Sequence, residues 1–223
     1  MQIHPLLHIG RGVTALIGGG GKTTLMLTLA AELCKKGTVI VTTSTKICPP
    51  VEFETLLDPS EEELAAKIKE KRVLCVASTG PTGKLCAPKM GFEKLAALAD
   101  YIIVEADGAK MLPIKAHAPY EPVIPSNTQR IVMVVGVDGF GKRIADTVHR
   151  PELYADIAGV TVDDRVTPEI EARVLKAEGG FDRVYINKLE HDGQFEMASE
   201  LAARLDCPAV AGSLHMGVYL CLR

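Results

Sequence analysis

The chain has 223 residues and a formal net charge of −3, with 47% apolar and 24% charged residues. This composition is typical of a globular protein with a substantial core. The slight negative charge, the lack of tryptophan and the aromatic content of only 4% argue against nucleic acid as the main partner, because nucleic-acid-binding proteins usually carry a basic surplus or aromatic stacking residues.

The sequence shows no signal for membrane insertion or secretion. No apolar run approaches the roughly 20 residues needed to cross a bilayer, and no cationic start precedes an apolar secretory core. The six cysteines are widely spaced and form no Cys-x-x-Cys pair, which favours reduced thiols over a disulfide framework or a zinc site. We therefore expect a cytoplasmic protein.

The first half of the chain alternates predicted strands with predicted helices. Apolar and β-branched residues mark the strands, and leucines at four-residue spacing mark the first helix, which Gly37 ends. Ser60 is the expected N-cap of the second helix, with Glu63 at the capping-box position. The predicted elements are strand 13–18, helix 22–36, strand 38–43, helix 61–72, strand 73–77 and helix 92–98.

The second half continues this alternation around a long segment, residues 108–129, that contains several prolines and little periodic pattern. Strands and helices at this spacing predict a mainly parallel sheet covered by helices on both faces. No repeat, low-complexity tract or linker divides the sequence, so we expect a single α/β domain over residues 1–223. The predicted elements are strands 101–107 and 130–137, helices 151–158 and 168–177, strand 183–187, a helix that includes Phe195, Ala198, Leu201 and Leu205, and strand 208–212.

The first motif is the run of four glycines that precedes Lys22, Thr23 and Thr24. It lies between a predicted strand and a predicted helix, where backbone amides and the positive end of the helix dipole bind phosphate. We expect the amides of the last three glycines and of Lys22 to point into one cavity. Lys22 would reach the β- and γ-phosphates of a nucleotide, Thr23 would coordinate Mg²⁺, and Thr24 would contact the α-phosphate. The predicted nucleotide-binding residues of this loop are Gly18, Gly19, Gly20, Gly21, Lys22, Thr23 and Thr24.

The loop departs from the usual phosphate-loop pattern, which has a glycine where Leu16 stands. A shorter form, Gly-Gly-x-Gly-Lys-Thr, fits completely over residues 18–23 and resembles the deviant loops of the signal-recognition and MinD-like NTPases. The signature lysine of those loops would fall on Ile17 and is missing. The alternative interpretation is a tight glycine-rich turn that binds nothing.

The second motif is the acidic end of the strand predicted at residues 101–107. Glu105 and Asp107 are two residues apart, so on a continuous strand their side chains would face the same side. Mg²⁺ prefers hard oxygen ligands and commonly takes one or two carboxylates. We therefore predict that Glu105 and Asp107 bind the metal or orient an attacking water, and are catalytic together with Lys22. The alternative is that both are solvated residues at a strand end.

The third motif, Asn-Lys-Leu-Glu, begins at Asn187, the last residue of a predicted strand. It resembles the Asn-Lys-x-Asp element with which GTPases recognise guanine. Asn187 is expected to contact the base edge and Lys188 to pack along the ring. Glu190 stands where the aspartate normally lies, and ATPases of the same class also use an asparagine here. The choice between GTP and ATP therefore stays open.

Two segments at the same predicted edge carry further polar residues. The segment Thr-Thr-Ser-Thr-Lys at residues 42–46 could touch Mg²⁺ or the γ-phosphate, although Ser/Thr clusters at strand ends are often turn caps. Lys110, Lys115 and His117 lie on the long segment 108–129. Long loops in compact domains are frequently functional, so these residues are candidates either for a substrate or partner contact or for a structural lid.

A later stretch contains Lys142, Arg143 and Arg150. These cations could contact a phosphate, but a surface charge cluster is the slightly favoured interpretation. The six histidines are scattered and show no metal-ligand spacing.

Taken together, these motifs resemble one family, the YqeC-type accessory proteins of selenium-dependent molybdenum hydroxylases. The resemblance implies a P-loop NTPase-like fold, a bound nucleoside triphosphate with Mg²⁺, and a role in maturing a molybdenum hydroxylase that carries labile selenium. Residues 18–24, Glu105, Asp107, Asn187 and Lys188 are the site residues that it shares with the reasoning above. The matching segments, in chain order, are GGGGKTTLM, TTSTK, VEADGAKMLPIKAHAPYEPVIP, VVGVDGFGK, VHRPE and NKLE.

Our main hypothesis is a Mg²⁺-dependent P-loop NTPase that acts as an accessory and maturation factor. Catalysis would come mostly from positioning and electrostatics, and hydrolysis would switch segment 42–46 or 108–129 between two arrangements read by a protein partner. The expected partners are GTP or ATP and a molybdenum hydroxylase or its maturation machinery, with a homodimer as a possible assembly. Nucleic acid and membranes are not expected partners.

Two rival functions use the same loop. The first is a small-molecule kinase or ligase, since the loop also resembles that of amino-acid-adding ligases, although those enzymes carry a separate C-terminal domain. The second is a nucleotide-binding module that performs no hydrolysis. Dependence of turnover on an added acceptor would favour the first, and tight binding without phosphate release would favour the second.

Overall fold

The computed structural model describes residues 1–223, apart from the side chain of Thr82. Strands and helices alternate along most of the chain, as predicted. The strands are β1 (Gly12–Gly18), β2 (Val39–Thr43), β3 (Lys46–Ile47), β4 (Thr55–Leu57), β5 (Val73–Thr79), β6 (Leu85–Cys86), β7 (Tyr101–Glu105), β8 (Ile114–Lys115), β9 (Thr128–Gly136), β10 (Val148–His149), β11 (Arg183–Asn187), β12 (Ala209–Ser213) and β13 (Val218–Cys221). The helices are α1 (Lys22–Leu33), α2 (Glu61–Lys71), α3 (Phe92–Leu98), α4 (Ile144–Thr147), α5 (Pro151–Ala158), α6 (Pro168–Glu178) and α7 (Gln194–Arg204).

One large sheet organises the chain. Its strand order is β13-β12-β11-β9-β1-β7-β2-β5-β6-β3, with β4 added beside β5. The strands from β12 to β5 along this order run parallel, and antiparallel pairs occur only towards the two edges, at β12–β13, β5–β6 and β3–β6, among the described pairs. β8 and β10 form a separate two-stranded parallel sheet. The predicted α/β class with a mainly parallel sheet is confirmed.

The central strands are buried on both faces, because their alternate residues enter different apolar clusters. On β1, Leu16 packs with the buried face of α1, whereas Ala15 and Ile17 pack with residues of α5, α6 and α7. Val13, nearer the start of the same strand, packs with residues of α2 and α3. Helices therefore cover both faces of the sheet.

The helices agree with the predictions in some details and differ in others. Helix α1 ends at Leu33, before the predicted residue 36, although Gly37 donates its amide to the Leu33 carbonyl just beyond the helix end. Ser60 caps α2 as predicted, accepting a hydrogen bond from the Glu63 amide. Phe195, placed on the apolar face of α7 by its spacing, is instead 50% exposed.

Several structural features were not predicted. The strand expected over residues 101–107 ends at Glu105, so Asp107 lies beyond it. The segment 108–129 contains β8, which pairs with β10, and the chain end forms β13. Among the described residues, no helix is long and apolar enough to cross a membrane.

Candidate functional site

The four-glycine loop leaves the carboxyl end of β1 and enters α1, at the centre of the sheet. Gly18, Gly20 and Gly21 have φ angles of 95°, 66° and 116°, which side chains other than glycine rarely adopt. A Cβ on Gly20 would lie 2.2 Å from the amide nitrogen of Gly136 on β9. The loop therefore requires glycine for two reasons: the positive φ angles, and the close packing of the loop against the backbone of β9.

The amides of this loop divide into two groups. Gly19 donates to the Val134 carbonyl at 2.9 Å, and Gly20 donates to the Leu112 carbonyl at 3.1 Å. This differs from the expectation that both amides face an open cavity. The free donors lie further on, because the amides that begin a helix have no acceptor in a preceding turn and no side chain caps α1. They belong to residues 21–24.

The Lys22 side chain turns back towards the strand ends. Its ammonium donates to the Gly18 carbonyl and lies 2.9 Å from Asp107 Oδ1. Only 4% of the side chain is exposed. The loop therefore holds its lysine in a buried ion pair with Asp107.

Glu105 is the last residue of β7 and lies beside the start of α1. Thr23 donates its hydroxyl to Glu105 Oε2 at 2.7 Å. Burial raises the pKa of the Glu105 carboxyl, and the charge of Lys22 and the Thr23 hydrogen bond only partly oppose this effect. A hydroxyl and a carboxylate, two hard oxygen donors, thus meet next to the free amides of α1.

Asp107 is fully buried, and most of its contacts with donors are on Oδ2. Its Oδ2 accepts hydrogen bonds from the Gly18 amide at 2.7 Å and from His117 Nε2 at 2.6 Å. The ammonium of Lys115 lies 3.2 Å from the same oxygen. Burial alone would raise the pKa of Asp107, but the hydrogen bond from His117 and the charges of Lys22 and Lys115 hold it well below its usual range.

Asp107 and Glu105 therefore do not share one environment, as two residues on a continuous strand would. The chain leaves the strand after Glu105, and Asp107 turns inward to the lysines. Within the described residues, no group of three or more His, Cys, Asp or Glu side chains is arranged to hold a metal ion. Thr23 and Glu105 are two neighbouring oxygen groups that could hold Mg²⁺, which prefers hard oxygen ligands.

The side chains of Lys115 and His117 point into the protein, consistent with the structural alternative for segment 108–129. Lys115 bridges Asp107 and Glu121, with its nitrogen 2.7 Å from Glu121 Oε2. Arg150 contacts the same oxygen at 2.5 Å. Burial would raise the pKa of Glu121, but the hydrogen bonds from Arg150 and Lys115 lower it.

The polar residues of segment 42–46 and the exposed cations singled out in the sequence make no side-chain contact with the glycine loop among the described contacts. In segment 42–46, Thr43 donates to the Glu105 carbonyl at 2.8 Å and Ser44 to the Val123 carbonyl at 2.5 Å, so both hydroxyls are used to fix backbone. Arg143 forms a surface ion pair with Asp163. Lys110 and Lys142 are exposed.

The third motif borders a cleft of about 460 Å³ that runs from Gly21 and Thr24 to Lys188 and Glu190. Asn187 lines this cleft but is 4% exposed. Its Nδ2 donates to the Gly20 carbonyl at 2.8 Å, and its Oδ1 accepts from the Tyr185 hydroxyl and the Leu214 amide. Asn187 therefore ties the end of β11 to the glycine loop, a role that its position in the sequence does not indicate.

At the far end of the cleft, Lys188 and Glu190 lie beside Asp138 and His191, which the motifs did not identify. Lys188 pairs with Asp138 at 2.9 Å, and Glu190 accepts a hydrogen bond from Ser213 at 2.7 Å. His191 also lines this end. Asp138 follows the β9 strand end in Val-Asp-Gly, a position at the carboxyl edge that could have identified it.

Comparison with known proteins agrees with the resemblance drawn from the motifs. The family model described as "YqeC protein" matches residues 14–152. A curated Escherichia coli (strain K12) protein, described as "Uncharacterized protein YqeC", is 30% identical over 185 residues, covering 77% of this chain and 71% of its own length. The range matched by the family model spans the glycine loop, Glu105, Asp107 and His117. The chain belongs to the YqeC protein family.

Proposed function

We propose that the chain binds a nucleoside triphosphate with Mg²⁺ and hydrolyses it. One observation carries the proposal: the cleft that begins at the uncapped start of α1 and ends at Lys188 and Glu190. Its volume of about 460 Å³ falls in the range of small-molecule sites. A nucleotide would place its phosphates on the free amides and its base at the far end.

The phosphate end has the donors and charges that a triphosphate needs. The amides of residues 21–24 and the positive end of α1 would bind phosphate oxygens. Lys22 would move from its ion pair with Asp107 to the terminal phosphates. Thr23 and Glu105 would hold Mg²⁺, which neutralises charge on the phosphates and supports an in-line displacement. In this assignment Asp107 positions Lys22 and does not bind the metal.

The base end would use Lys188 and Glu190. Asn187 is largely occupied by the glycine loop and Leu214, so we assign it to shaping the cleft. Lys188 would pack along the ring, and the Glu190 carboxylate would accept from base N–H groups. Ser213 already fixes one oxygen of Glu190, which leaves the second to select between GTP and ATP.

The proposal extends to the cellular role that the family resemblance implies. Hydrolysis would drive an accessory step in the maturation of a selenium-dependent molybdenum hydroxylase, with that enzyme or its maturation machinery as the protein partner. The resemblance alone supports this part. Pull-down of the partner by the nucleotide-loaded chain, compared with the nucleotide-free chain, tests it.

Binding of fluorescent GTP and ATP analogues with Mg²⁺ tests the nucleotide site. The wild type should bind one analogue saturably, Lys22→Ala should abolish binding, and Lys36→Ala, an exposed residue just beyond α1, should bind normally. A well-folded wild type that binds neither analogue would refute the proposal.

Phosphate release then separates hydrolysis from the two rival functions. Release without an added acceptor supports hydrolysis, whereas release that requires an acceptor indicates a kinase or ligase. Binding without release, even with cell extract present, indicates a nucleotide-binding module.

A further inference from the structure

A buried chain of hydrogen bonds runs from the end of α6 to the glycine loop. Glu178, the last residue of α6, accepts from the His117 amide at 2.6 Å and lies 2.8 Å from His117 Nδ1. The other ring nitrogen of His117 lies 2.6 Å from Asp107 Oδ2. The three side chains are 10%, 6% and 0% exposed. Such a chain of carboxylate, imidazole and carboxylate fixes the ring in one orientation.

His117 makes the shortest contact to Asp107. His117 Nε2 lies 2.6 Å from Asp107 Oδ2, whereas the ammonium of Lys115 lies 3.2 Å from the same oxygen. That ammonium also contacts Glu121 and the Gly108 carbonyl. Burial would lower the pKa of His117, but its hydrogen bonds to Asp107 and Glu178 raise it. His117 is therefore one of the groups that orient the Asp107 carboxyl, together with the Gly18 amide at 2.7 Å and the Lys22 ammonium at 2.9 Å.

Asp107 in turn holds two groups of the loop. It accepts from the Gly18 amide at 2.7 Å and pairs with Lys22 at 2.9 Å. Neither Glu178 nor His117 contacts Lys22 or lines the cleft. The side-chain contacts of these two residues therefore reach the loop through Asp107.

We propose that His117 and Glu178 are positioning residues for the loop: Glu178 fixes the His117 ring, His117 fixes the Asp107 carboxylate, and Asp107 places the Lys22 ammonium and the Gly18 amide. The inference rests on the proposed function, because it assigns the chain of contacts to the end of the site that would meet the terminal phosphate. Lys22 placement matters most for that phosphate. Loosening the chain of contacts should weaken triphosphate binding more than diphosphate binding.

Three substitutions in α6 test this proposal. Glu178→Ala removes both acceptors of His117. Glu178→Gln keeps an acceptor for the His117 amide and a hydrogen-bonding partner for Nδ1, so Nε2 still donates to Asp107. Glu169→Ala is the matched control, since Glu169 is a glutamate of the same helix in an exposed ion pair with Arg173.

The measured quantity is the ratio of triphosphate to diphosphate affinity with Mg²⁺. Glu178→Ala should lower this ratio about tenfold, the scale of one charge-assisted hydrogen bond. Glu178→Gln should restore most of it, and Glu169→Ala should leave it unchanged. A uniform loss for both nucleotides, or a ratio unchanged in a folded Glu178→Ala protein, would overturn the proposal.

A second measurement needs no nucleotide. Amide hydrogen exchange at Gly18, whose acceptor is Asp107, should accelerate in Glu178→Ala relative to exchange at Gly19, whose acceptor is the Val134 carbonyl. If the wild type binds no nucleotide, the proposed function fails, while the exchange rates still decide the positioning role. Unchanged Gly18 exchange would refute that role.

Discussion

A negative charge at the mouth of the cleft should separate ligand binding from stability. Thr24 is exposed, lines the cleft and occupies the first turn of α1, which contains no acidic residue and no side-chain cap. Thr24→Glu adds a carboxylate to the positive end of this helix. The same carboxylate would face the phosphates of a bound nucleotide, so the substitution has opposite effects on folding and on binding.

The two effects can be estimated separately. A carboxylate in the first turn stabilises a helix by about 0.3–1 kcal/mol, which raises the Tm of a chain of this size by about 1–4 °C. A charge about 5 Å from a phosphate, at an effective dielectric constant of about 20–40, costs roughly 1.7–3.3 kcal/mol of binding energy. The Kd for nucleotide should therefore rise roughly 15- to 200-fold.

Titration with the fluorescent analogue and thermal melting by circular dichroism measure the two quantities on the same sample. The matched control is Thr28→Glu, one turn further along α1, where the Thr28 hydroxyl bonds the Thr24 carbonyl outside the cleft. The control should bind nearly as the wild type does. Normal binding by Thr24→Glu, or an equal loss in both variants, would refute the placement of phosphates at the start of α1.

Three further predictions concern the fold that supports the site. Burial raises the pKa of Glu171 to about 8, although a hydrogen bond from Tyr154 opposes this shift. The protonated Glu171 therefore contributes fully to stability below pH 4.5, and this contribution is lost as pH rises through 8, by up to about 1.4 kcal/mol per pH unit. In urea unfolding at pH 5, 7 and 8.5, Glu171→Gln should show a smaller dependence of the unfolding free energy on pH than the wild type. Asn187→Ala should lower the free energy of unfolding by about 2–4 kcal/mol, because the Gly20 carbonyl and two donors lose a buried partner; a change under 0.5 kcal/mol would contradict this. Gly20→Ala should destabilise the protein by more than about 2 kcal/mol, because the alanine would be strained at a positive φ and its Cβ would clash with backbone. Gly141 has a similar φ but no atom near the position of a Cβ, so Gly141→Ala should cost only about 1 kcal/mol. Chemical denaturation measures both values.

The sequence was sufficient to predict the fold class, because buried parallel strands are continuous apolar runs separated by amphipathic helices. It was less informative at the edges. β3 and β6 contain two residues each, too few for any periodic pattern. β13 exists because it pairs with β12, and a strand that depends on its neighbour has little local signal.

The candidate site was predicted in part. The motifs correctly indicated which residues meet at the carboxyl edge, since parallel strands all end there. They did not indicate which group each side chain contacts. Asn187 was expected to face a base, but its side-chain amide donates to the carbonyl of Gly20, 167 positions away in sequence. Glu178 was not predicted at all, because nothing local relates the end of a helix to His117, 61 residues earlier.

The bond between Asn187 and Gly20 also sets an order of events during synthesis. The glycine loop emerges from the ribosome early, but Asp107 follows it by 89 residues and Asn187 by 167. At about 5–20 residues per second, the last of these partners arrives roughly 8–30 s after the loop. A nascent chain released before residue 187 would contain every residue of the loop yet lack the last of the side chains that hold it. Ligand affinity should therefore arise only when nearly the whole polypeptide has been translated.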